Sequence, residues 1–207
     1  MSLAQDERAE LVRTMTAVGE DAPTLCGDWT ARDLAAHLVV RERRLDAAPG
    51  IVLPFLSGYT EKVQAGAAAK PFDDLVSAIR TGPPLWSPFK LLDPVINVGE
   101  MFVHHEDLRR AGPDWTQRTL SASLQNRLWT IAGLIGRRAY SASPVGVVFR
   151  SKDGRTKTVK KASGRHVVLT GEPSELLLHA FGRSAVVIEF EGTEADIAAV
   201  QGLDRSF

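Results

Sequence analysis

Apolar residues recur at three- and four-residue steps in four long stretches, and each stretch predicts an amphipathic helix. In residues 3–19 the apolar set is Leu3, Leu11, Val12, Met15 and Val18 among Asp, Glu and Arg, with Gly19 as a stop. Thr30 opens the second stretch: it can N-cap, Asp33 can return the capping-box bond, and Leu34 and Leu38 mark an inward stripe that runs to about residue 45 before Pro49 and Gly50. The third stretch is PVINVGEMFVHHEDLRRAG from Pro94, with proline in its first turn and Arg109, Arg110 and Gly112 at its end. The fourth, over about 119–140, carries Leu120, Leu124, Leu128, Ile131, Leu134 and Ile135. Four such helices predict a bundle. Residues 50–93 interrupt it as a proline-rich excursion, with room for short helices near 58–69 and 72–80.

The period changes after Pro144. Residues 145–150 are rich in β-formers, Asp153-Gly154 is a hairpin signal, and 156–160 alternates polar with β-branched residues as an exposed strand does. A strand over 166–170, the helix PSELLLHAFG, a strand over 185–190 and a helix from about Thr193 complete the chain. The expected class is α+β: a four-helix bundle over 1–141 followed by a small α+β domain over 142–207, with the boundary near 141–144. There is no internal repeat or low-complexity tract.

Composition narrows the function classes. Lys+Arg and Asp+Glu are equal at 25 each, which removes any global electrostatic case for nucleic acid or an anionic membrane. No apolar run approaches the roughly 20 residues that span a bilayer. The start MSLAQDERAELVRTM is acidic and lacks an apolar segment, so it reads as neither a signal nor a transit peptide. With a single cysteine, Cys26, the chain is read as cytoplasmic. Its expected partner is a small-molecule substrate or thiol, and its oligomeric state is open.

One residue in the second helix is out of place: His37 lies on the inward stripe. On the third helix Glu100 and His104 are four residues apart, on one face and about 6 Å from each other. Their neighbours in VGEMFVHH are apolar, and a carboxylate in such a stripe costs several kcal/mol unless it is paired or bound to a cation. A metal ion between the second and third helices would account for His37, Glu100 and His104 together. The residues alone leave a second reading open, in which Glu100 and His104 pair on a solvated edge and His37 is a core histidine bonded elsewhere.

The stretches CGDWTARDLAAHL, GEMFVHHEDLRRAG and VVLTGEPSELLLHAFGR resemble motifs of the mycothiol-dependent maleylpyruvate isomerase family, and HHEDLRRA is similar to an actinobacterial subgroup within it. The resemblance spans nearly the whole chain and implies a DinB-like metal-binding four-helix bundle at the N-terminus. It also implies a ligand set: a histidine in the helix after the Gly-x-Trp-Thr motif, matched by His37, and a Glu-x-x-x-His pair, matched by Glu100 and His104. Two imidazoles and a carboxylate suit a divalent ion, zinc first, with nickel or iron also compatible. The implied activity is that of an isomerase or transferase that uses mycothiol as thiol cofactor on a small electrophilic substrate. The rival class is a non-catalytic protein that binds a structural metal or a small ligand.

The remaining candidates have plainer expectations. Cys26 reads as a small buried hydrophobe in a connector rather than a reactive thiol. Of His105, Glu106 and Asp107, at most one or two can face a ligand, because consecutive helical positions point in different directions. Arg41, Arg43, Arg44, Arg109 and Arg110 read as a solvated helix face rather than an anion site. Trp29, Trp86, Trp115 and Trp129 are assigned to packing, His166 and His179 to structural roles, and Lys157–Lys161 to a charged edge strand.

Overall fold

The computed structural model describes residues 2–44, 46–47, 57–84 and 97–205. Residues 50–56 and 85–93 of the proline-rich excursion, Trp86 among them, and Pro94 lie outside the described residues. The chain divides into two compact units, 1–116 and 117–207.

The first unit holds α1 (Leu3–Val18), α2 (Ala31–Arg43), α3 (Ser57–Ala68), α4 (Phe72–Thr81) and α5 (Val98–Arg109). The expected capping box of Thr30 and Asp33 closes on α2, and Ser2 and Gln5 close another on α1. Leu11, Val12 and Met15 of α1, Leu34 and Leu38 of α2, Leu75, Val76 and Ile79 of α4, and Met101 and Leu108 of α5 share one core. The core is crossed by buried polar ties. Arg8 on α1 forms a two-pronged ion pair with Glu42 on α2, at 2.9 and 2.5 Å, and donates to the Ile79 carbonyl of α4. His105 on α5 bonds Glu7 at 2.7 Å and Thr14 at 2.8 Å, both on α1.

The second unit begins with α6 (Ala122–Ala139), followed by β1 (Gly146–Ser151), β2 (Thr156–Lys160), β3 (His166–Gly171), α7 (Pro173–Ala180), β4 (Ile188–Glu191) and α8 (Glu194–Gln201). The strands form one sheet in the order β2-β1-β3-β4, with β1–β3 parallel and the outer pairs antiparallel. The Asp153-Gly154 turn joins β1 to β2 as expected, with Gly154 at φ 90°. β2 is an edge strand, and Lys157 folds back onto α6: its ammonium lies over the Trp129 ring and donates to the Trp129 carbonyl at 3.1 Å. None of the described helices is long and apolar enough to cross a membrane.

The expected boundary lay near 141–144, and the division between the two compact units falls at 116/117. The helix over 122–139 belongs with the second unit, because its buried stripe of Leu124, Leu128, Ala132 and Ala139 packs on α7 and β2. The short α4 contributes Leu75, Val76 and Ile79 to the core of the first unit. The 119–140 stripe fixed the helix but not the surface it covers.

His179 is buried on α7 against Tyr140 and Phe190, as a structural histidine; its Nδ1 is hydrogen-bonded with the Tyr140 hydroxyl at 2.5 Å. Burial, with Arg205 nearby, pushes its pKa from 6.5 down to about 3. The folded state therefore keeps this ring neutral where the unfolded chain protonates it. Its contribution to stability is flat above pH 6.5 and falls as the pH drops toward 3, by about 1.4 kcal/mol per pH unit. Urea unfolding at pH 7 and pH 5 should show wild type losing more stability than His179→Asn across that interval. Equal losses would refute the assignment.

Candidate metal centre

α2 carries His37 one turn below Leu34, and α5 carries Glu100 and His104 one turn apart. The structure brings all three together. The His104 Nε2 lies 3.3 Å and the His37 Nε2 3.9 Å from Glu100 Oε1, and one ligand atom from each residue falls within 4.8 Å of the other two. Donors on a common ion at about 2.0–2.1 Å stand roughly 3.0–3.5 Å apart, so the cluster is close to the spacing an ion requires.

The other ring nitrogens are already engaged. His104 Nδ1 is 3.0 Å from Asp107 Oδ2, and His37 Nδ1 is 3.4 Å from the Gln64 amide oxygen on α3. With Nδ1–H donated to an oxygen, each ring presents Nε2 toward Glu100, the tautomer a metal-binding imidazole needs. The donor set and both tautomers therefore fit a divalent ion. Trp29, tilted 47° with its ring centroid 5.1 Å from that of His37, packs on the same side of α2.

The electrostatics follow from this crowding. Burial works against the charged form of Glu100, but the Arg41 guanidinium, with Nε 3.3 Å away, and the bonds from His104 and His37 override it and hold the carboxyl well below its usual range. Burial also works against charged His104, yet its bonds to Asp107, Cys26 and Glu100 raise its pKa well above the ordinary value. His37 goes the other way: burial dominates and lowers its pKa. The carboxylates of Glu100 and Asp107 on either side thus favour the protonated His104 ring, and an ion at Nε2 would take the place of one proton.

Other expectations are corrected here. Cys26 is not merely a packed hydrophobe: its Sγ lies 3.0 Å from Asp107 Oδ2 and 3.9 Å from His104 Nδ1, in a second cluster of potential donors that shares His104. Of the three residues after His104, Asp107 alone bonds the proposed ligand; His105 turns to α1, and the buried Glu106 pairs with Arg109 and Arg110. The arginines are not a solvated face. Arg41 is buried against Glu100 and Asn97, Arg110 is buried on Glu106 and Trp115, and Arg43 donates to the Ala78 and Gly82 carbonyls; only Arg44 is exposed, on Asp46. Gln64 was missed, because it lies in the excursion and no spacing relates it to His37.

Residues 2–84 match the family model described as the mycothiol maleylpyruvate isomerase N-terminal domain, a span that includes His37. The resemblance read from the sequence stands. The chain also resembles a solved structure of the mycothiol-dependent maleylpyruvate isomerase, with a TM-score of 0.59 at 16% identity, covering 91% of this chain and 90% of that one. A histidine-to-alanine mutant of that isomerase matches with a TM-score of 0.61, at the same identity and coverage. At 16% identity this likeness is one of fold: the chain has the α+β, DinB-like architecture of that isomerase. No curated protein matches the chain.

Proposed function

We propose that the chain is a metal-dependent enzyme that uses a low-molecular-weight thiol, mycothiol by family resemblance, in an isomerase or transferase reaction on a small electron-poor unsaturated acid. The observation that carries this reading is the convergence of His37 Nε2, Glu100 Oε1 and His104 Nε2 on one point, with both Nδ1 atoms already held. When bound there, a divalent ion, zinc first, supplies Lewis acidity and lowers the pKa of a coordinated thiol. The chain's own residues do the rest. His37 and His104 come from two helices that share a core, so their separation is set before binding and little reorganisation is needed. Glu100 offsets the charge of the ion, and Arg41 keeps that carboxylate ionised and aimed. Three protein ligands leave coordination open for thiol or substrate, which favours an enzyme over a structural metal, since a structural site is normally closed by a fourth ligand.

The test is an assay of the metal-reconstituted protein with mycothiol and maleylpyruvate, following cis–trans isomerisation and thiol conjugation by absorbance. Turnover that requires both thiol and metal is expected. A fully metallated protein inert in both assays across a panel of cis-unsaturated acids would contradict the enzymatic reading.

A further inference from the structure

Asp107 does more than its place beside His104 requires. Its carboxylate is fully buried, and the same Oδ2 accepts from His104 Nδ1 and from the Cys26 thiol, each at 3.0 Å. The connector that carries Cys26 is tied down around it. The Leu25 amide donates to the Asp107 main-chain carbonyl at 3.0 Å, the Cys26 amide donates to Thr24 Oγ1 at 3.1 Å, and Thr24 Oγ1 donates to the Trp29 carbonyl at 2.8 Å. The Trp29 amide closes the turn on the Cys26 carbonyl. The sulfur is therefore presented to Asp107 by backbone bonds that do not depend on the thiol itself.

We propose that Cys26 and Asp107 act as a positioning pair for His104: the thiol fixes the orientation of the Asp107 carboxylate, and the carboxylate fixes the His104 ring with Nε2 toward Glu100 and His37. This rests on the metal-site reading above and deepens it. Asp107 acts through His104, and Cys26 acts one step further out, through Asp107. Carboxylates that hold a ligating histidine set both its tautomer and its angle, and their loss weakens metal affinity by about 10- to 100-fold. Asp107→Asn should fall in that range. Cys26→Ala removes the thiol donor from Oδ2 and should weaken binding by about tenfold at most, whereas Cys26→Ser, which restores a donor, should stay nearer wild type.

The experiment is Co²⁺ titration of the full-length apoprotein of wild type, Cys26→Ala, Cys26→Ser and Asp107→Asn, reading affinity and the visible spectrum, with thermal melts of each apoprotein to establish folding. The expected result is weakened affinity in Cys26→Ala and Asp107→Asn, recovery in Cys26→Ser, and a wild-type spectrum without thiolate-to-metal charge transfer. Wild-type affinity in folded Cys26→Ala would overturn the pair. So would a charge-transfer band that disappears in Cys26→Ser, which would make Cys26 a ligand instead. A wild type that binds no Co²⁺ would mark failure of the metal-site reading itself, a pattern distinct from either.

Discussion

Glu42→Ala should destabilise the protein by about 3–5 kcal/mol, the range for removing one partner of a buried ion pair. Glu42 and Arg8 are 1% and 5% exposed at their side chains, so the loss takes a two-pronged carboxylate partner from a guanidinium that water does not replace. Arg8 would retain its bond to the Ile79 carbonyl but lose both bonds to the Glu42 carboxylate. The pair also joins α1 to α2 beside the end of α4, and removing it loosens three helices of the core. The contrast is Glu10→Ala, which breaks an exposed pair with Arg13 and should change stability by no more than about 1 kcal/mol. Urea denaturation of the two variants beside wild type is the check; similar stability losses in both would show that burial does not govern this pair.

The second large effect is expected at Glu100. In Glu100→Gln the buried Arg41 loses its carboxylate and the two histidines lose the anion between them. Metal should then bind at least about 100-fold more weakly, because a ligand and the compensating charge go together, whereas loss of an outer-shell partner alone already costs about 10- to 100-fold. A ligand that binds only the folded state stabilises it by about 2.7 kcal/mol at a concentration 100 times its dissociation constant. Wild type should therefore melt higher with added Zn²⁺, and Glu100→Gln should show little or no such rise at the same concentration. An undiminished rise in the variant would place the ion elsewhere.

How much of this was legible in the sequence depends on whether the information was local. The capping box of Thr30 and Asp33, the Asp153-Gly154 turn and the helical stripes are written within a few residues, and the elements they predict are present. The Glu100–His104 pair was equally local, since one helical turn sets it. What a stripe cannot say is which surface it covers. Leu124 and Leu128 fit a bundle or a sheet-backing helix equally well, and the stripe alone does not say that the helix from 122 packs on α7 and β2. The burial of Arg41 and Arg8 and the bonds of Cys26 and Gln64 depend on partners 27 to 81 residues away, so no local pattern could announce them. His37 was found through family resemblance added to an inward histidine, and the structure places it against the pair that resemblance named.

The central claim is that His37, Glu100 and His104 hold one divalent ion. The most direct measurement is the metal content of purified protein after reconstitution with Zn²⁺ and removal of excess, by elemental analysis of wild type, His37→Ala and His179→Ala. The account predicts about one ion per chain in wild type and in His179→Ala, whose histidine lies in the other unit, and a content well below one in His37→Ala. No bound metal in reconstituted wild type, or a loss in His179→Ala that His37→Ala does not share, would contradict it.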